Sequence, residues 1–409
     1  MQSDEEGIGG LPDPITLASM TTLKATGKVS VSDVAGGKIK VVTEDSYLAS
    51  SVLLSYSSNG GAANELEGEA GAAAVNKYLT FKSNEKIGSS LKTLRTMEDA
   101  GVTPIFEAGR TSAKVGFTCA KDYVMDFVPA LALDCKYEKW DVADAISYAK
   151  TEAMVAAANP ELMLMEGLFT AAYGDASPMS NSVYYADGGA SRAGVMSFRE
   201  REYYGGGSAV VAATGIEDHD AFVAAVADAF EGYGSDVGAS SSGVYRGGEY
   251  RLAAPTGGAN VALAFEAPSD PIVCDVLKHC LASSGVSAFA SDGLIGVYGD
   301  SDAAGAAALT DSLVEALASP INADLVAAGK IGAKASALFE KEGEGSYSLA
   351  TSLTVNACDS QDVAALYDEC PAEAVIAAAS AMVKTNLSVS ALGSIDSVPY
   401  QATLSTKFV

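Results

Sequence analysis

The chain has 409 residues, 48% of them apolar and 19% charged, which describes a globular protein long enough for two or more cores. Against 26 Lys and Arg stand 52 Asp and Glu, a net charge of −26 that repels nucleic-acid backbones and anionic lipid surfaces and attracts basic partners. No apolar run approaches the roughly 18–20 residues of a membrane helix, the longest candidates resembling AVIAAASAMV at 374–383.

The acidic, glycine-rich start MQSDEEGIGG reads as neither a secretory signal nor an Arg-rich transit peptide. Strands are expected at 38–43 (KIKVVT) and 51–57 (SVLLSYS). A helix follows over about 70–80, then another near 90–100 closed by Gly101. Strands come at 103–108 and 112–119, and Asp122 opens a helix to about 134. A long helix spans Asp141 to Ala158. Asn159 and Pro160 then form an N-cap and first-turn pair for a helix ending at Tyr173 before Gly174. The run SAVVAATGI (208–216) is a buried strand, and Asp218 caps a helix ending near Gly232.

The second half repeats the plan. Strands at 249–254 and 259–267 precede a helix opened by Ser269 or Asp270 with Pro271 in its first turn. GLIGVYG (293–299) is a strand. Asp302 opens a helix to about 318, Asn322 one to about 341, Ser346 another, and Pro371 one to about 384. LSVSALGSI (387–395) closes as a strand. The two series match well enough to predict a duplicated unit of roughly 200 residues. Its boundaries fall at 1–37 (an extension), 38–232, a linker at 233–248, and 249–409.

Six scattered cysteines without a CxxC pair form no disulfide framework and no zinc knuckle; they read as small apolar residues in a reducing compartment. The two histidines, His219 and His279, fall in different halves and read as surface or cap residues, with no GxSxG elbow or cysteine-protease signature beside them. GGG at 205–207 precedes a strand, and Gly343-Glu344-Gly345 is flanked by acids with no GK[ST] following, so neither reads as a phosphate loop.

The stretch GAAAVNKYLTFK (71–82), on a helix after the first strand pair of a duplicated chain, resembles the pitrilysin-type (inverzincin) metallopeptidases. The mitochondrial branch of that family comprises the processing peptidases and the core proteins of respiratory complex III. Active members carry HxxEH on this helix, two ligand histidines on one face and a glutamate base. Gly71 and Ala73 match before the motif and Phe81-Lys82 after it, but the motif positions hold Ala74, Lys77 and Tyr78. The third zinc ligand of active members corresponds to Glu152 in AKTEAMVAAANPE. KWDVADAISYAK, NPELMLMEGLFTAAYGDA, GGEYR, GANVALAFEAPS and VSAFASDGLIGVYG extend the likeness over 38–405.

The resemblance implies an α+β fold of two homologous domains, each a mixed, mostly antiparallel sheet with helices packed on it. It also implies no catalytic residue, no metal and no cofactor. A structural core subunit of complex III, peripheral on the matrix side of the mitochondrial inner membrane, is the first reading. Its partners are then a homologous subunit of the core protein 1 type and other complex III subunits, with no nucleic acid and only indirect membrane association. The alternative is the substrate-binding, alpha-like subunit of a mitochondrial processing peptidase. Against it, LKHCLASSG runs almost directly into VSAFASDG, where alpha subunits of that family carry a long glycine-rich loop.

Overall fold

The structure is a computed structural model that describes residues 27–45, 50–84, 88–131, 136–186, 188–203, 209–231, 243–254, 257–344, 346–356 and 363–408. The GGG cluster at 205–207 and most of the expected linker lie outside these residues.

The first half runs β1 (Val29–Val34), β2 (Ile39–Glu44), β3 (Ser50–Ser57), α1 (Ala72–Asn76), α2 (Ser90–Asp99), β4 (Thr103–Ala108) and β5 (Ala113–Ala120). It continues through α3 (Val124–Leu131), α4 (Lys139–Ala157), α5 (Pro160–Tyr173), α6 (Arg192–Glu202), β6 (Ala209–Thr214) and α7 (His219–Ala229). The second half runs β7 (Gly248–Ala253), β8 (Gly258–Glu266), α8 (Pro271–Ala282), β9 (Ser287–Ser291), β10 (Leu294–Asp302) and α9 (Ala306–Ala318). After these come α10 (Ala323–Glu344), α11 (Ser346–Asn356), α12 (Val363–Glu369), α13 (Ala372–Met382), β11 (Ser388–Gly393) and α14 (Gln401–Ser405).

Two sheets result, ordered β1-β2-β6-β3-β5-β4 and β7-β11-β8-β10-β9. Removing β1 leaves the same order in both, with one parallel pair at the same place: β2 with β6, and β7 with β11. The remaining pairings are antiparallel. The duplication read from the sequence is therefore a duplication of topology, in the expected α+β class.

Local chemistry sets the helix starts. The side chains of Ser89, Asn159, Asp218 and Asp270 accept backbone N–H bonds in the first turns of α2, α5, α7 and α8. Asp302 does not open α9 directly. It ends β10, and its carboxylate holds the turn through Gly305 N–H at 2.6 Å.

Several elements were not expected. β1 is a half-exposed edge strand, so its alternation is weak; the sheet consequently starts at Val29, inside the stretch read as an extension. β9 is a short edge strand of the same kind. α6 buries Arg199 and Glu202 along with Val195 and Phe198, which hides its apolar period. The short helices α12 and α14 also went unread.

Both sheets are covered on both faces, and the second cover is exchanged between halves. Val41, Leu53 and Val211 face the first half's own helices, whereas their neighbours Val42 and Ala212 pack with Leu353, and Val52 and Leu54 with Ala350, both from α11. Reciprocally, Ala262, Ala264 and Leu294 of the second sheet pack with Leu164, Leu168 and Phe169 of α5. This double burial is why SAVVAATGI and ANVALAFEA read as continuous apolar runs rather than as alternating strands. Gly167 lets α5 lie this close, because a Cβ there would sit 2.3 Å from the Tyr250 ring.

Candidate functional site

The segment that carries the family likeness folds as a single short turn of helix. Gly71, at φ 78°, precedes α1 and gives it no side-chain cap. The carboxylate of Glu65 takes that place, accepting the N–H of Gly71 at 2.8 Å and of Ala73 at 2.9 Å. Burial dominates that carboxyl and pushes its pKa up to about 7, with Glu69 adding to the rise and the two N–H bonds opposing it.

The helix was expected to reach about residue 80, yet it ends at Asn76. The Asn76 amide donates to the carbonyls of Ala72 and Val195, and the Arg199 guanidinium donates to the Asn76 carbonyl at 3.1 Å. The backbone then tightens, with Tyr78 N–H bonded to Val75 O and Leu79 N–H to Asn76 O.

The structure brings three of the four singled-out residues together. The Lys77 ammonium lies 2.5 Å from one oxygen of Glu152 on α4, and the Tyr78 hydroxyl donates to the other oxygen at 3.1 Å. Lys77 is largely enclosed, with 11% of its side chain exposed against 32% for Glu152. Burial, followed by the Glu152 charge and its hydrogen bond, pushes the Tyr78 phenol up to about 12. The Tyr78 ring packs near Tyr148 and Phe106, with centroids 5.7 and 6.3 Å away. Ala74 is not part of this contact; it is buried in the first half's core.

A zinc ion of the kind the resemblance brings to mind does not fit these residues. The donor set holds one carboxylate, both of whose oxygens already receive donors, and an ammonium occupies the space where a cation would sit. Among the described residues no group of three or more His, Cys, Asp and Glu is placed to hold a metal. The arrangement is an ion pair that ties α1 to α4.

The other polar candidates also have structural partners. The ring nitrogens of His219 lie 2.8 Å from the Ser32 hydroxyl and 2.7 Å from that of Thr43, stapling α7 to β1 and β2. His279 sits 3.9 Å from Asp275, and burial lowers its pKa. Burial raises the thiols of Cys119, Cys274 and Cys280 to about 11, well away from the thiolate range of a nucleophile. Gly343 and Glu344 form the end of α10 rather than a loop. Sequence reasoning missed Glu65, Arg199 and Arg110. Arg110 is 3% exposed, pairs with Glu166, and donates to the carbonyls of Met179 and Asn181. Nothing in the local pattern marks these three: Arg110 and Arg199 take partners from distant loops and helices, and Glu65 reaches from a loop to N–H groups six and eight residues further on.

No protein-family model matches the sequence. Over 252 residues, 59% of this chain, it is 28% identical to the mitochondrial-processing peptidase subunit alpha of Solanum tuberosum. Over 180 residues, 42% of this chain, it is 29% identical to the mitochondrial cytochrome b-c1 complex subunit 2 of Homo sapiens. These matches span 48% and 39% of the two relatives, under half of each. A chain in the solved structure of complex III2 from Candida albicans with Inz-5 bound superimposes with a TM-score of 0.75 at 16% identity, covering 93% of this chain and all of that one. The chain is thus similar in sequence, over about half its length, to a processing-peptidase alpha subunit and to a cytochrome b-c1 complex subunit 2, and it shares the fold of the matched complex III2 chain.

Proposed function

We propose that this chain is a non-catalytic core subunit of mitochondrial complex III, supporting assembly and stability from the matrix side of the inner membrane. The observation that carries this reading is the Lys77–Glu152 ion pair, with Tyr78 on the same carboxylate. We take Ala74, Lys77, Tyr78 and Glu152 as the positions at which active relatives hold and use zinc. With a lysine bridging the helices there, the scaffold keeps the geometry of α1 and α4 without a metal. The partner would be a homologous subunit of the core protein 1 type, meeting this chain through an obligate interface above about 2,000 Å². No helix among the described residues is long and apolar enough to cross a membrane, so attachment would run through other subunits.

The second reading, an alpha-like subunit of a processing peptidase, is favoured by the longer of the two sequence matches. Against it stands the direct crossing from α8 to β9 through residues 283–286, which leaves no room for a long substrate loop. Blue-native electrophoresis of mild-detergent extracts separates the two. Co-migration with haem-containing subunits is the expected result. Migration as a soluble pair with a zinc peptidase would overturn the first reading in favour of the second.

A further inference from the structure

Outer helix faces in this acidic chain carry acids: Asp311 and Glu315 are exposed on α9, and Asp220 and Asp228 on α7. The longest helix among the described residues, α10, departs from this and holds no acid over 325–339. Val326, Gly329 and Ala333 form its buried line. Gly329 is pressed onto α8, where a Cβ would come within 2.5 Å of Cys280 Sγ. On the side away from that line, at about 100° of turn per residue, Ala328, Ile331, Ala335 and Leu338 fall within roughly 80° of one another. Ile331 is 70% exposed, Leu338 45%, and Phe339 at the edge of the stripe 71%. The helix therefore carries two apolar lines, one in the core of the second half and one facing solvent.

The solvent-facing line steps by three, four and three residues, the spacing of a seam that receives another helix. Its order of sizes selects that helix. In an antiparallel pair of two copies of α10, about a two-fold axis level with Ala333, Ile331 meets Ala335 of the second copy and Leu338 meets Ala328. Every layer then sets one branched side chain against one methyl group, and the helix dipoles oppose. A parallel pair would stack alanine on alanine and leave gaps. We infer that this chain self-associates through the outer face of α10, in that antiparallel register. The apolar side chains of the stripe offer roughly 500 Å² per copy, or about 1,000 Å² for the pair, the lower bound of a specific contact, so association is expected in the micromolar range. Each copy carries −26, so the acids around the contact repel, and salt strengthens the pair by screening them. The inference goes beyond assignment to complex III and does not depend on it.

Sedimentation of the full chain over rising protein and salt concentrations tests it. A monomer–dimer equilibrium that tightens with salt is expected. Ile331→Glu should raise the dissociation constant about tenfold or more with an unchanged melting temperature, because the side chain is exposed. Met154→Glu, at a 74% exposed apolar residue of the first half, should leave association unchanged. Ala335→Lys should also fail to self-associate, yet pair with the Ile331→Glu chain when the two are mixed, since the antiparallel register sets 331 against 335. The inference is overturned by a chain that stays monomeric at about 100 μM in high salt, by a dimer that survives Ile331→Glu or is lost equally in Met154→Glu, or by mixed variants that do not pair. Capture of a different subunit, lost in Ile331→Glu while the chain alone stays monomeric, would likewise overturn it.

Discussion

At the scale of single residues, the most informative contact is the one between Lys77 and Glu152. Glu152→Ala would leave a lysine of low exposure without its counter-charge, and a cost of about 1–3 kcal/mol is expected in urea unfolding. Lys77→Met combined with Glu152→Met should recover most of that loss, since two apolar side chains leave no orphaned charge. A double variant as unstable as the single one would mean that packing, not charge, holds α1 to α4. Glu65 makes a second prediction, in pH. Its folded pKa, about 7, lies above its ordinary value of 4.5, so the folded state holds the proton more tightly than the unfolded state does. Between those values stability contributed by this group falls as pH rises, and above about 7 it falls no further. Glu65→Gln should flatten that part of the stability profile in thermal melts, while a slope identical to wild type would point to another group. The family resemblance of residues 71–82 and of AKTEAMVAAANPE points to Lys77, Tyr78 and Glu152. Glu65 was invisible because it reaches α1 from a loop eight residues away from Ala73, a contact that only the folded backbone creates.

At the scale of elements, legibility followed burial and capping. β3, β6, β8 and β10 were readable because their runs are largely apolar, α2 because Gly101 closes it, and α5, α7 and α8 because a capping side chain marks each start. α6 was not, because its buried face includes an arginine and a glutamate. What no local pattern could reveal is where α5 and α11 go: each is apolar enough to be buried, but its target sheet belongs to the other half. Gly167 is the fulcrum of α5. It sits within a helix, where alanine is normally favoured, but a methyl group there would enter the Tyr250 ring and approach the Ser390 hydroxyl at 2.9 Å. That hydroxyl already donates to Leu164 O at 2.8 Å. Gly167→Ala should therefore destabilise by about 1–3 kcal/mol despite its better helix propensity. Alanine at the exposed position Ser147 on α4 makes a fair comparison, expected to be near neutral. A gain in stability at Gly167 would show that α5 and β7 can separate without loss.

At the scale of the molecule, the exchanged helices bind the halves into one folding unit. Cutting in the stretch between α7 and β7 would leave the first sheet without α11, exposing Val42, Val52, Leu54 and Ala212. The second sheet would lose α5, exposing Ala262, Ala264 and Leu294. Polar contacts cross the same joint: Thr111 donates to Asp292 at 3.0 Å, and the Tyr173 hydroxyl to the Asp292 carbonyl at 3.2 Å. A two-domain chain with a small, wet interface unfolds in separate steps, but here each half's core is completed by the other. Calorimetry of the whole chain should accordingly give one transition whose van't Hoff and calorimetric enthalpies agree. Residues 27–231 or 243–408 expressed alone should aggregate through their open sheet faces, whereas the two expressed together should assemble into a soluble pair. Two well-separated transitions, or either fragment folding alone with native-like near-UV dichroism, would mean that α5 and α11 rest on surfaces already stable without them, and the duplicated sheets would then be two independent domains that merely touch.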